Sequence, residues 1–253
     1  FDKRRSPPDT TSGGNLHSTK GYDVRVLMFG RGVIATLYGR VLDAAGHDVE
    51  FYVRPGRAAE YGGDVRLDWI DGRRKPFGRR RREVFRTSLR ESLGPEDGFD
   101  VIVLSVGHHR LAEAAAFVAP RLGNATVLVF GNVWDDPLAA VAPIPAHQLV
   151  FGFPQAGGGF GADGTLSGAM MPSVVVGTTA EVPSGREQEI IAAFQPTGLA
   201  VRRERDIRGW LWLHFVADAG MFMQAQQLGS MAEMIGNRRA MRQAFLTAGE
   251  LLP

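Results

Sequence analysis

The spacing Gly30-Arg31-Gly32-Val33-Ile34-Ala35, preceded by the apolar run Val24 to Phe29, is the clearest chemical signal in the chain. The apolar run reads as a buried parallel strand, and a helix from Thr36 to Ala45 is expected to follow. In that setting Gly30 permits a tight turn, and Gly32 lets backbone N–H groups approach a pyrophosphate. The small Ala35 lets helix and strand pack closely. Unpaired N–H groups and the macrodipole at the start of the helix favour an anion. Arg31, Val33 and Ile34 complete this expected phosphate-binding turn.

The next strand, Val49 to Val53, ends in Arg54-Pro-Gly-Arg57. A carboxylate at such a strand end commonly holds the ribose hydroxyls of NAD. A guanidinium there instead clamps a 2′-phosphate through paired charge-assisted hydrogen bonds. The expected coenzyme is therefore NADPH/NADP+, with Arg54 the first contact and Arg57 the second. The competing reading makes both of them solvated loop arginines. Glu50 lies inside the strand and is not assigned to the ribose.

These residues need a scaffold, and the rest of the chain supplies its outline. Its 253 residues, 44% hydrophobic and 22% charged, suit a globular protein with a substantial core. Without cysteine there is no disulfide, thiolate nucleophile or cysteine-bound zinc. No His/Asp/Glu cluster has metal-ligand spacing, so no metal is expected. No apolar stretch approaches the ~20 residues of a membrane span. Residues 1–21 are polar, lack an apolar signal-peptide core and read as a disordered arm, which fits a cytoplasmic protein. Net charge is +2, yet Arg73, Arg74, Lys75 and Arg79 to Arg82 cluster. No stacking aromatics alternate with them, so the cluster reads as a solvated hairpin turn between Val65–Ile70 and Glu83–Thr87, not a nucleic-acid site.

Further strands are expected at Phe99–Ser105, Ala125–Phe130, Leu149–Phe153, Ser173–Val176 and Leu199–Arg202, with helices at Arg110–Leu122 and Arg186–Phe194. Gln155 to Gly161 lacks the Lys-Ser/Thr pair and following helix of a phosphate loop, and reads as a flexible hairpin turn. From Asp206 the apolar period becomes helical. The expected fold is α/β: a Rossmann-type, doubly wound, mostly parallel sheet over residues 22–204, then a helical domain over 205–253 for substrate or dimer contacts. Ligands gather at the carboxyl ends of such strands, where Gly30, Arg54, Val106, Gly107 and Asn132 all fall.

The chain resembles the ketopantoate reductase (ApbA/PanE-like) family. The matching pieces are Gly30 to Thr36, Ala45 to Val49, Arg54, Phe99-Asp-Val-Ile-Val, Gly131-Asn132 and Asp206 to Trp212. The resemblance, over residues 23 to 250, implies an NADP-binding domain followed by a helical one. It implies that Arg54 holds the 2′-phosphate, that Asn132 lies beside nicotinamide and substrate, and that the helix bearing Trp212 walls the active-site cleft. The family pattern also departs from this chain. Its catalytic lysine aligns with His214, an asparagine one turn later with Asp218, a second lysine with Gly107 and a further asparagine with Phe222.

Ketone reduction creates an alkoxide that needs a proton or a cation. His214 can donate a proton near neutral pH. Asp218, four residues on, shares its helical face and is expected to orient the ring and favour imidazolium. The alternative is a packed helical histidine beside Trp210 and Phe215. His108 and His109, at a strand end, are lesser candidates, and His47 reads as structural. With neither lysine present, the α-keto carboxylate of the family substrate has no evident cation. The expected activity is NADPH-dependent reduction of a small carbonyl or imine, in a cleft lined by Trp210, Trp212, Phe222 and Met221 or Met223. Asn132 positions the substrate, and a homodimer is a further expectation. The rival readings are a non-catalytic NADP(H)-binding sensor and an enzyme using the coenzyme without net redox change.

Overall fold

The computed structural model describes residues 23–73, 78–179, 185–229, 232–234 and 236–250. The expected N-terminal arm, together with Arg74 and Lys75, lies outside them. Strand β1 (Arg25–Phe29) leads into helix α1 (Val33–Asp43), which starts three residues earlier than the apolar period suggested. Strand β2 (Asp48–Tyr52) and the short helix α2 (Arg57–Tyr61) follow. Next come β3 (Asp64–Asp71), β4 (Arg79–Arg86), β5 (Ser88–Arg90) and β6 (Val101–Leu104).

Helix α3 (Leu111–Val118) is flanked by single 3-10 turns, so the expected longer helix is split into three pieces. Strand β7 (Thr126–Phe130), helix α4 (Pro137–Ala140) and strands β8 (Leu149–Phe153), β9 (Ala156–Phe160), β10 (Leu166–Met170) and β11 (Ser173–Gly177) come next. Helix α5 (Arg186–Phe194), strand β12 (Ala200–Arg203) and helices α6 (Ile207–Leu228) and α7 (Arg238–Glu250) complete the described chain.

The large sheet runs β12-β11-β8-β7-β6-β1-β2-β5. Its pairs are parallel except β11 with β8, which is antiparallel. Near-continuous Val, Ile, Leu and Phe in β6 and β7 suit strands buried on both faces. One face packs Met28, Val103 and Leu128 against Leu37, Tyr38 and Val41 of α1 and Phe194 of α5. The other packs Leu27, Ile102 and Val127 against Leu111 and Ala115 of α3 and Leu211 of α6. His47 is a structural pin, as expected. Its buried ring accepts from the Val24 N–H at 3.4 Å and donates to the Ala193 carbonyl at 2.7 Å.

A second sheet, β4-β3-β10-β9, was not foreseen. It closes over α1, burying Val65, Leu67, Trp69 and Phe85 in the same core. Two expectations are corrected by it. Gln155 to Gly161 is no flexible turn: Ala156–Phe160 is strand β9, laddered antiparallel to β10. The arginine run is no solvated turn either, since Arg79 to Arg82 open β4 along β3. Alternation sends Arg80 and Arg82 outward to Asp68, and Arg81 inward toward Asp71 and Glu83. Glu83 also takes Arg40 of α1 at 2.8 Å and the Trp69 indole N–H at 3.1 Å. Opposite charges brought together by strand pairing, rather than by sequence proximity, are what make the run a strand.

Asp206 caps α6 by accepting the Gly209 N–H at 2.9 Å. Helices α6 and α7 cross where Gly220 meets the Ala244 backbone, and a Cβ on Gly220 would stand 2.3 Å from the Ala244 carbonyl oxygen. Gly220→Ala is therefore expected to force the helices apart. Overpacking of this kind costs about 1–3 kcal/mol, measurable as a lower midpoint in urea unfolding. Unchanged stability would mean the crossing yields freely.

Candidate functional site

The strand order reverses at β1, whose successor β2 lies on one side and β6 on the other. Crevices at the carboxyl ends of such switch-point strands are where doubly wound sheets bind ligands. Gly30 closes β1 with φ +100, a left-handed conformation that only glycine adopts without strain, and its N–H donates to the Tyr52 carbonyl at 2.9 Å. A Cβ on Gly30 or Gly32 would meet nothing within 4 Å, so the backbone here faces open space. Gly32 caps α1 without any side-chain partner and no acidic residue stands in the first turn. The N–H groups and positive end of an eleven-residue helix are thus left for an anion. Val33, Ile34 and Ala35 turn inward and seat the helix on the core.

A cavity of about 210 Å³ opens beside this turn, walled by Phe29, Tyr52, Arg54, Tyr61, Val106 and Phe117. Phe29 and Tyr52 stack at 4.9 Å, with Phe117 tilted against both. Arg54 is exposed on its rim, and its side chain makes no hydrogen bond or ion pair among the described residues. Arg57 is engaged: it pairs with Glu60 at 2.7 Å and donates to the Tyr61 hydroxyl at 3.1 Å. Tyr61 is flanked by two guanidiniums, Arg57 and Arg31, each 4.9 Å from its ring centre. Arg31 reaches the Asp64 carbonyl at 3.3 Å, and its buried Nε has no hydrogen-bond partner among the described residues. Burial pulls the Arg31 pKa below the usual guanidinium range, against which Tyr61 pulls back. Glu50 is held by Arg25 and Arg90, consistent with its exclusion from the ribose contacts.

Sequence reasoning missed the aromatic walls. Aromatic residues ending two adjacent strands beside the glycine turn were the available signal, at Phe29 and Tyr52. Arg110 also lines the cavity, although paired with Glu113 at 3.2 Å, and was read only as a helix start.

Farther along the same sheet edge, Asn132 follows β7 and donates to Asp218 of α6 at 3.4 Å. The fold thus brings together two expected site residues that stand 86 positions apart. His214 sits one turn before Asp218. Its ring lies 3.9 Å from the Trp210 ring and 4.6 Å from Phe153, at the end of β8. Nδ1 is oriented by the Trp210 carbonyl at 3.1 Å, not by Asp218 as the spacing suggested. An Nδ1–H donated there leaves Nε2 as the nitrogen able to exchange a proton. Asp218 instead accepts its hydrogen bond from Asn132.

Burial raises the Asp218 pKa, opposed by the Asn132 hydrogen bond and the nearby His214. A carboxyl raised by folding contributes stability below its unfolded pKa of about 4 and loses it as pH climbs through the folded value. Asp218→Asn is accordingly expected to raise Tm at neutral pH, with the gain shrinking as pH falls toward 4. A thermal melt series in pH checks this; a lower Tm at neutral pH would refute it.

Val106 lines the first cavity, and Gly107, with His108 and His109, forms an exposed turn after β6. The buried Ser105 hydroxyl at the same edge has no hydrogen-bond partner among the described residues. Trp212 faces Trp134 at 5.8 Å and Trp210 lies beside His214, while Phe222 and Met223 lie largely exposed on α6. Among the described residues no helix is long and apolar enough to cross a membrane.

The fold is that of a doubly wound α/β protein with a crevice at its switch point and a helical C-terminal part. The chain belongs to the ketopantoate reductase PanE/ApbA family, whose model matches residues 26–181. No curated protein matches its sequence. Among solved structures, 2-dehydropantoate 2-reductase from Geobacter metallireducens GS-15 is similar at TM-score 0.63 and 18% identity, over 80% of this chain and 64% of that one. D-mandelate dehydrogenase, solved with NADH and anilino(oxo)acetate, is similar at TM-score 0.61 and 14% identity, over 78% and 62%. A dimeric ketopantoate reductase from Staphylococcus aureus is similar at 0.55 and 15%, over 90% and 81%. This chain therefore spans less than two thirds of the length of the first two.

Proposed function

We propose that the protein is an NADPH-dependent oxidoreductase that reduces a C=O or C=N group of a small substrate. The observation that carries this is the meeting, at one switch-point crevice, of an open glycine turn and an exposed arginine whose side chain has no hydrogen-bond or ion-pair partner among the described residues. Family membership supports the oxidoreductase class.

The residues present fit the coenzyme. The α1 N-terminus would receive the pyrophosphate, Arg54 the 2′-phosphate, and the wall of Phe29, Tyr52 and Phe117 the adenine. Strands β2, β1, β6 and β7 are neighbours at ~4.8 Å spacing, so Arg54 and Asn132 stand roughly 14 Å apart along the edge, a span an extended dinucleotide bridges. Residues 22–204 then hold the coenzyme while 205–253 supply His214 and Asp218 against the reacting end. NADPH, when bound, supplies the hydride. His214 supplies a proton from Nε2, its ring fixed by the Trp210 carbonyl and the flanking rings. Asn132 and Asp218, bonded to each other, position the substrate. By likeness to its dimeric relative we assign a homodimer.

The test is NADPH consumption at 340 nm (the absorbance band of the reduced nicotinamide) with a panel of ketones, keto acids and imines, alongside calorimetric titration of NADPH. Turnover of any member supports the reading. Tight binding with no turnover across the panel favours a sensor, and no binding ends the proposal.

A further inference from the structure

We propose that Asp218 is a specificity-determining residue that selects a C=N substrate, serving as counter-ion to an iminium at the reacting carbon. This deepens the reductase reading and rests on it.

Charge inventory around the site motivates the assignment. Among the described residues every Lys/Arg cation is an arginine, since Lys3, Lys20 and Lys75 lie outside them. Three arginines on neighbouring elements are committed elsewhere: Arg110 to Glu113, Arg208 to Asp136, and Arg202, on edge strand β12, to the Trp210 ring at 5.4 Å. Asp218 itself has a hydrogen bond from the neutral amide of Asn132 and no ion pair among the described residues. Its titratable neighbour among the described residues is His214, whose Nδ1 bonds the Trp210 carbonyl. A half-buried carboxylate thus stands between Asn132 and the proposed proton donor His214 with no ion-pair partner among the described residues.

That arrangement discriminates between electrophiles. A ketone gathers negative charge on oxygen as hydride arrives, next to Asp218, and a keto acid adds a carboxylate beside it. Both bring like charge to a partly dehydrated site. An imine does the opposite. Its nitrogen takes a proton from Nε2 of His214, becoming an iminium whose positive charge faces Asp218. The iminium carbon then accepts a hydride from the bound reduced coenzyme. The C=N π pair becomes the nitrogen lone pair, a neutral amine leaves, the coenzyme departs oxidised, and His214 recovers its proton from water. Relative to neutral imine in solution, the reacting state is cationic, so a carboxylate raises kcat/KM for this substrate and lowers it for a carbonyl.

The experiment uses wild type and Asp218→Asn, first saturated with NADP+. Calorimetry measures binding of a cyclic secondary ammonium (pyrrolidinium) and of an α-hydroxy acid of similar size (lactate). Steady-state rates are then taken with a pyrroline and with pyruvate. The expected result is that wild type binds the ammonium ion, prefers the pyrroline, and loses about 10- to 100-fold of that affinity in Asp218→Asn, with NADP+ affinity unchanged. Preference of wild type for lactate and pyruvate overturns the proposal, as does ammonium binding that Asp218→Asn leaves intact. Should the variant not fold, the wild-type preference alone decides. Absence of NADP(H) binding, in contrast, overturns the reductase reading itself and this inference with it, a failure seen before any amine is added.

Discussion

His214→Phe is expected to lower kcat for NADPH-dependent reduction by about 10²- to 10⁴-fold, the usual contribution of a positioned proton donor. Phenylalanine keeps the aromatic packing between Trp210 and Phe153, so the fold and coenzyme site remain while the exchangeable proton is lost. Three measurements belong together: kcat, KM and NADPH affinity. A drop confined to kcat marks a group acting on the reacting state. Partial recovery by added imidazole would strengthen that assignment, and kcat within about 3-fold of wild type would reduce His214 to a packing residue.

Arg54→Ala is expected to weaken NADPH about 10- to 100-fold while leaving NADH affinity nearly unchanged. The size follows from one charge-assisted contact to a phosphate, worth about 1.5–3 kcal/mol. The direction follows from geometry: Arg54 stands exposed just after β2, on the cavity rim, with no carboxylate among the described residues holding it. Arg57 makes a useful control because Glu60 and Tyr61 already engage it, so Arg57→Ala should cost less. Parallel titrations with both coenzymes check the pair. Equal losses for NADPH and NADH in Arg54→Ala would remove the 2′-phosphate assignment and leave only a general electrostatic role.

The parts of this molecule that could be read from the chain are those whose signal is local. The strand before Gly30, the helix after Gly32 and the arginine at the end of β2 each lie within a few residues of the feature that reveals them. Helix α5 has the bounds the sequence suggested, because its apolar face is contained in nine residues. The small sheet is another matter. Strand β4 begins with four consecutive arginines, a composition that favours a solvated loop until Asp68, Asp71 and Glu83 are brought alongside by pairing. Three of the five residues of strand β9 are glycine, leaving too few side chains from which a period could be read. The orientation of His214 was likewise misjudged. Helical spacing put Asp218 within reach, yet the i−4 carbonyl of Trp210 is nearer to Nδ1, and Asn132 claims the carboxylate. A partner arriving from another element outcompetes one that shares the helix, and nothing within a single helix announces it.

Strand β4 forms one border of the small sheet, with Arg80, Arg82 and Arg86 pointing to water. A bare border of that kind invites strands from other molecules to zip on and grow into fibres. Here an approaching second copy would have to strip hydration from a row of guanidiniums and set it against an identical row. Fibre growth from this side is thereby discouraged by electrostatic refusal, and the polypeptide can be concentrated without this rim seeding its own polymerisation.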